Sequence, residues 1–249
     1  MASPTHQFII QPTDIRFELA GMDLSVTNST IWMAIGFIVA VTFLLIASKP
    51  KNLVPSRMQA AGEFLYEFVA KMVHESIGPK GRIYFPFIFT IFVFVLMGNV
   101  LGLIPYSFTY TSHLAVTGGL ALMVFFAVFI FGFYYHGFKF LSLFVPSGAP
   151  MWLFPLIIPI EIISFFVRPF TLSVRLFANM MAGHIMLKIV AGFAIAAASM
   201  GGAGVILGVF PVAVNVGLML FELLIALIQA YVFAILSCVY LKDTVDLHH

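Results

Sequence analysis

From Ile83 to Phe138 the chain carries no Asp, Glu, Lys or Arg. A bilayer-spanning helix needs about 20 predominantly apolar residues, so this run is long enough for two spans. The polar stretch IPYSFTYTSH, residues 104–113, is the natural break between them. Residues 24–48 are likewise uncharged and about the length of one span. Only 9% of the chain is charged and 62% is hydrophobic, whereas a soluble domain carries about 25% charged residues. The chain therefore reads as an all-α integral membrane protein. A transmembrane β-barrel would need alternating segments of about 10 residues, and these uninterrupted apolar runs are far longer. The 29 Phe and 13 Met suit lipid-facing and helix-packing surfaces.

The net charge of +2 is too small to suggest nucleic acid. Cys238 stands alone in an apolar stretch, so no disulfide framework exists, and it reads as a small packed hydrophobe. Asn28-Ser29-Thr30 matches a glycosylation acceptor but falls beside a span, where the match reads as chance. The first 25 residues lack a basic segment followed by an apolar run, so no signal peptide is expected.

Residues 1–249 are expected to form a single membrane domain. Its expected parts are an external N-terminal segment (1–23), a first span (24–48), an interfacial amphipathic helix (56–77), a two-span hairpin (83–138) and a long helical hairpin (156–241). That makes about five membrane-crossing helices plus one helix at the interface. Asp14, Arg16, Glu18 and Asp23 precede the first span, whereas Lys49, Lys51, Arg57, Lys71, Lys80 and Arg82 follow it. The excess of Lys and Arg puts residues 49–82 in the cytoplasm, or in the matrix if the membrane is mitochondrial, with the N-terminus outside. Five crossings then return the C-terminus to the cytoplasmic side. In 56–77, Phe64, Leu65, Phe68, Val69, Met72 and Val73 make one apolar face, while Glu63, Glu67, Lys71 and Glu75 mark the other. That helix is too charged to span and suits a surface anchor or docking role. Gly98 and Gly102 have the small-xxx-small spacing of close helix packing, and Asn99 and His113 read as packing or interface residues.

The last hundred residues are unusual. Two helical patterns, 156–190 and 205–241, would each be about 50 Å long at about 1.5 Å per residue. The hydrocarbon core is only about 30 Å thick, so these helices must kink, tilt steeply or lie partly along the membrane. SMGGAGV, 199–205, is the expected hinge.

The charge within these helices concentrates at Glu161, Arg168, Arg175, His184, Lys188 and Glu222. Glu161, Arg168 and Arg175 are spaced by seven and share a face; Asn179 lies one turn beyond Arg175. Glu222 and Gln229, also seven apart, share a face of the second helix, and the hairpin can set 222 opposite 184. Each has a plainer reading. Arg168 can snorkel or satisfy the backbone before Pro169; Lys188 can snorkel to the outer interface. Asn179 and Gln229 can be interhelical hydrogen-bonding glue, and Glu161–Arg168 or His184–Glu222 can be structural pairs. Arg175 resists a plain reading, because no acid lies within one turn of it. A guanidinium cannot shed its proton, and an intramembrane charge costs from about 2.5 to above about 10 kcal/mol. Glu161, His184 and Glu222 can titrate, whereas Arg175 cannot. It lies about 21 Å along a helix from Glu161 and about 13 Å from His184. Titratable groups on both sides of a fixed cation make two half-paths for protons with a barrier between them.

RPFTLSVRLFANMMAGH, 168–184, closely resembles the signature of subunit a of F-type ATP synthases. ELLIALIQAYVFAILSCVYL resembles the C-terminal helix of that family, and GNVLGLIPY, 98–106, is also similar to it. The likeness covers essentially the whole chain. It implies a non-catalytic membrane stator beside a ring of c subunits, each carrying one carboxylate, with b-type peripheral stalk subunits as further partners and no cofactor or metal. It also implies that Arg175 is the essential arginine, with Asn179 and Gln229 as its polar neighbours. Glu161 matches the acid of the half-channel open to the cytoplasm, and His184 with Glu222 the half-channel open to the other side. In some bacterial relatives the acid and the histidine occupy these two positions exchanged. The present order resembles the mitochondrial and related bacterial form; a bacterial inner membrane is the expectation, with a mitochondrial one as the alternative.

Two other functions remain on the sequence. A secondary transporter or channel with its own central site would move ions as a purified chain, although no inverted repeat supports it. A purely structural anchor would tolerate Arg175→Leu. A haem-binding subunit is disfavoured, because His113, His136 and His184 form no evident ligand pair.

Overall fold

The computed structural model describes residues 18–19, 22–23, 26–49, 55–104, 107–145 and 153–245. Of the expected external segment 1–23, only a two-residue antiparallel pairing of β1 (Glu18–Leu19) with β2 (Met22–Asp23) falls within them. Asp14, Arg16, Lys51, Pro105, Tyr106, Pro146 and Pro150 lie outside the described residues. The long elements are all helices: α1 (Asn28–Ala47), α2 (Arg57–Ile77), α3 (Phe85–Gly102), α4 (Leu114–His136), α5 (Phe154–Ala198) and α6 (Gly202–Val245). Among the described residues five helical segments, all but α2, are long and apolar enough to cross a membrane.

α2 is the amphipathic exception. Ser56 caps its start by accepting a hydrogen bond from the Gln59 N–H at 3.3 Å, and Gly78, with φ +86°, ends it. Its apolar face is divided: Val69, Met72, Val73 and Ile77 are buried, whereas Phe64 is exposed. The Lys71–Glu75 pair on the other face, 3.9 Å apart, is well exposed and contributes little to stability.

α5 and α6 are longer than the patterns 156–190 and 205–241, at 45 and 44 residues. α5 admits Pro155 in its first turn, where the missing N–H has no helical partner to lose. It runs on through the Ala-rich AGFAIAAA, a strong helix former. Pro159, Pro169 and Pro211 lie inside these helices, as membrane helices tolerate when neighbours satisfy the freed carbonyls. Gly201, with φ +77°, makes the turn between α5 and α6. α5 and α6 run antiparallel as a hairpin, since Asn179 meets Gln229, His184 meets Glu222 and Arg168 meets Asp243.

The chain forms two compact units. The first comprises Met1–Ala40, Phe94–His113 and Leu176–Ala230. Its polar segment 107–113 is not a solvated loop: Thr109, Tyr110, Thr111 and Ser112 are all buried. Hydroxyl groups help by spending their protons on backbone carbonyls rather than on water. Ser107 Oγ donates to Ile104 O at 2.7 Å, Ser112 Oγ to Thr109 O at 2.6 Å and Tyr110 Oη to Phe94 O at 3.0 Å. The glycines of α3 receive this segment rather than a second helix. A Cβ on Gly98 would stand 2.6 Å from the Tyr110 ring, and one on Gly102 would collide with the Thr109 side chain. Asn99 Nδ2 donates to Ala226 O at 3.1 Å, tying α3 to α6 by a polar contact.

The second unit comprises Val41–Val93, Leu114–Arg175 and Tyr231–His249. Its centre is aromatic. Phe125, Phe129 and Phe165 stand 4.8 to 5.4 Å apart, centroid to centroid, and Phe140 is fully buried over Gly132. Such pairs contribute about 0.5–1.5 kcal/mol each beyond their area. That matters in lipid, where apolar area alone gives helices no reason to associate.

Candidate functional site

Each unit carries a polar cluster on α5 and α6. In the second unit, Arg168 projects from α5 one heptad after Glu161, so the two share a face. Its Nη1 donates to Asp243 Oδ2 at 2.8 Å, and its Nη2 is 3.7 Å from Glu161 Oε1. The guanidinium also lies 5.9 Å from the Phe165 ring centroid and 5.7 Å from that of Tyr240. Arg168 thus joins α5 to α6 and is shared between two carboxylates. Arg175, another heptad on, is exposed, and among the described residues no hydrogen bond or ion pair reaches it. Tyr240 is within electrostatic range of both Arg168 and Arg175.

In the first unit, Asn179 Nδ2 donates to Gln229 Oε1 at 2.9 Å. His184 and Glu222 are buried together, with Nδ1 to Oε1 at 3.6 Å and side chains only 10% and 4% exposed. His184 Nε2 is 2.9 Å from Thr109 Oγ1. Neither Glu222 oxygen has a hydrogen-bond partner among the described residues. Burying a carboxyl is costly unless it is paired or protonated. A carboxyl held against one imidazole can exchange a proton with it by small motions. Lys188, one turn beyond His184, is exposed. His113 ends the 107–113 segment outside the spans; its ring stacks on Phe108 at 4.9 Å, and burial lowers its imidazole pKa.

The residues read from the sequence therefore fall into both units. Glu161, Arg168 and Arg175 belong to the second, and Asn179, His184, Glu222 and Gln229 to the first. Sequence reasoning missed three. Asp243 lies 14 residues after Gln229 on the same heptad register, and pairing across the turn points to Arg168. Asn215, seven residues before Glu222, carries a buried Oδ1 without a partner among the described residues. Thr109 had no spacing signal; only folding of the 107–113 segment brings it to His184. Gly183 also has a use within the chain: a Cβ there would come within 2.6 Å of Glu222 Oε1.

The sequence model of one protein family, described as ATP synthase A chain, matches residues 29–242. The chain belongs to the ATP synthase subunit a family. The ATP synthase subunit a of Rhodospirillum rubrum is 51% identical over 248 residues, covering 100% of both chains. That of Chelativorans sp. is 50% identical over 246 residues, covering 99% of this chain and 98% of the relative. That of Rhizobium johnstonii is 49% identical over 244 residues, 98% and 97% of the two chains. Like other members of the subunit a family, the chain is a non-catalytic membrane subunit of the Fo sector. Within this subunit a chain, Gly183→Val should push the Glu222 carboxyl away from His184. Proton-driven ATP synthesis is expected to fall about tenfold or more, about 1.4 kcal/mol in barrier, in vesicles holding normally assembled enzyme. A rate near that of the unaltered enzyme would show that the contact does not matter.

Proposed function

We propose that this chain is the proton-translocating stator of a rotary F-type ATP synthase in a bacterial inner membrane. It supplies two offset half-channels to a ring of c subunits and is held by b-type peripheral stalk subunits. The observation that carries the reading is Arg175, a permanent cation on a helix surface with no acid bonded to it among the described residues. So costly a charge is explained by a carboxylate on another subunit.

Protons enter through His184 and Glu222 and neutralise a ring carboxylate. The neutral carboxyl can then pass into lipid, where a charged one cannot. After a nearly complete turn, another carboxyl arrives on the Glu161 side. Arg175 favours its ionised form by attraction, so the proton leaves through Glu161, with Arg168 and Asp243 beside it. Asn179 and Gln229 hold the polar surface near the arginine, and the exposed Ala178 and Ala182 let the ring approach. Because Arg175 never releases a proton, it also blocks direct leakage between the half-paths. The lengths of α5 and α6 suit helices inclined along the ring. The basic residues of 49–82 face the cytoplasm, with the N-terminus outside. A membrane potential supplies about 2.3 kcal/mol per proton per 100 mV.

The test is proton flux in liposomes under an imposed potential. The chain alone should conduct nothing, whereas the same chain assembled with its ring should conduct. Conduction by the chain alone would replace this reading with that of a self-contained channel or transporter.

A further inference from the structure

The two nitrogens of His184 have different neighbours. Nε2 is 2.9 Å from Thr109 Oγ1, and Nδ1 is 3.6 Å from Glu222 Oε1. Thr109 has a second contact, with its hydroxyl 3.3 Å from Gly102 O. A carbonyl oxygen only accepts, and the hydroxyl has one proton to give. Donation to Gly102 O satisfies that contact and leaves the oxygen lone pairs of Thr109 for an N–H of the imidazole. The opposite assignment sets two bare oxygens against each other. Thr109 is held in this position. It is buried, it fills the space that a Cβ on Gly102 would need, and the next residue, Tyr110, is locked under Gly98.

We infer that Thr109 is a positioning residue whose hydroxyl accepts from His184 Nε2–H, so that the bare Nδ1 faces the Glu222 carboxyl. The inference rests on the reading of His184 and Glu222 as the proton-uptake pair. A bare Nδ1 and an ionised carboxylate are two acceptors, so they repel unless a proton lies between them. The pair therefore holds one. That proton moves as the Oε1–H bond breaks and the Nδ1–H bond forms, converting a neutral pair into an ion pair with no change in total charge. When it passes to the ring carboxylate, the two acceptors are left opposed, and the pair is driven to reload from the outer side. Around them, Glu222 faces His184 from α6, Lys188 acts on it from α5, and the 107–113 segment contributes the uncharged Thr109.

Without the Thr109 hydroxyl, a neutral imidazole can carry its proton on Nδ1 and donate it to ionised Glu222. That arrangement needs one proton fewer, so the pair loads only from a more acidic medium. The experiment is proton-driven ATP synthesis by the intact enzyme in liposomes, with pH varied on the uptake side, for Thr109→Val, Thr109→Ser and Glu222→Gln. Thr109→Val should move the half-maximal rate to acid by about one pH unit, a tenfold change in proton activity. The maximal rate should be reached again at low pH, and Thr109→Ser should restore the original profile. A uniform loss at every pH without a shift, or failure of serine to restore, overturns the inference. If Glu222→Gln leaves uptake unchanged, the uptake-pair reading itself fails. Imidazole nitrogen NMR on the unaltered complex, assigned by difference from His184→Gln, gives a check that needs no Thr109 variant. A protonated Nε2 is expected, and a neutral ring with its proton on Nδ1 would overturn the assignment.

Discussion

Arg175→Ala abolishes proton-driven ATP synthesis while the complex still assembles. The expected loss is at least about a thousandfold, or about 4 kcal/mol of barrier. The side chain is exposed and has no bonded partner among the described residues, so its removal breaks no contact that holds α5 and α6 together. Assembly survives for that reason. Function does not, because alanine can neither attract a ring carboxylate nor bar a proton. Lysine is no substitute: its ammonium is a point charge that gives up a proton when desolvated, so Arg175→Lys should not restore synthesis. The measurement is ATP synthesis in vesicles under an imposed proton gradient, with subunit content checked on the same preparation. Normal ATP-driven pumping by Arg175→Ala would sink the rotary assignment, and a fully active Arg175→Leu would point to a structural anchor.

Glu222→Gln slows proton uptake about tenfold or more, whereas Lys188→Gln changes it by less than about twofold. Glutamine keeps the shape of glutamate but cannot carry an exchangeable proton between water and the ring. Glu222 is 3% exposed and lies against His184, so no nearby water replaces its function freely. Lys188 is exposed, and a long side chain can carry its charge to water without a fixed partner. Passive proton flux through the membrane sector, with the catalytic head removed, compares the two directly. Equal and small effects would contradict a half-channel at His184 and Glu222.

The helical plan was legible because its causes are local. An uncharged run of span length says a helix apolar enough to cross lipid, and charges recurring on one face of 56–77 say an amphipathic helix. The lengths of α5 and α6 were less legible. Their ends carry Pro155 at one side and Lys242 and Asp243 at the other, residues that normally argue for termination. Within α6, Asp243 is instead met by Arg168. Gly98 and Gly102 were recognised as sites of close approach, but the spacing suggested a second helix. The structure supplies Tyr110 and Thr109 instead, since a short hydroxyl-rich segment can satisfy its own backbone and pack as tightly as a helix.

The sequence by itself determined where charge sits within the apolar chain. A charge in lipid is so costly that Glu161, Arg175, His184 and Glu222 stand out without any structure. Heptad spacing then determined which of them share a helix face. Only the tertiary structure decided the partners. It gave Arg168 to Asp243, Glu222 the space over Gly183, and His184 the Thr109 hydroxyl. Apolar helix surfaces in lipid have little preference for one neighbour over another, so these pairings depend on shape and on single polar contacts between residues far apart in the chain. No local pattern encodes such contacts.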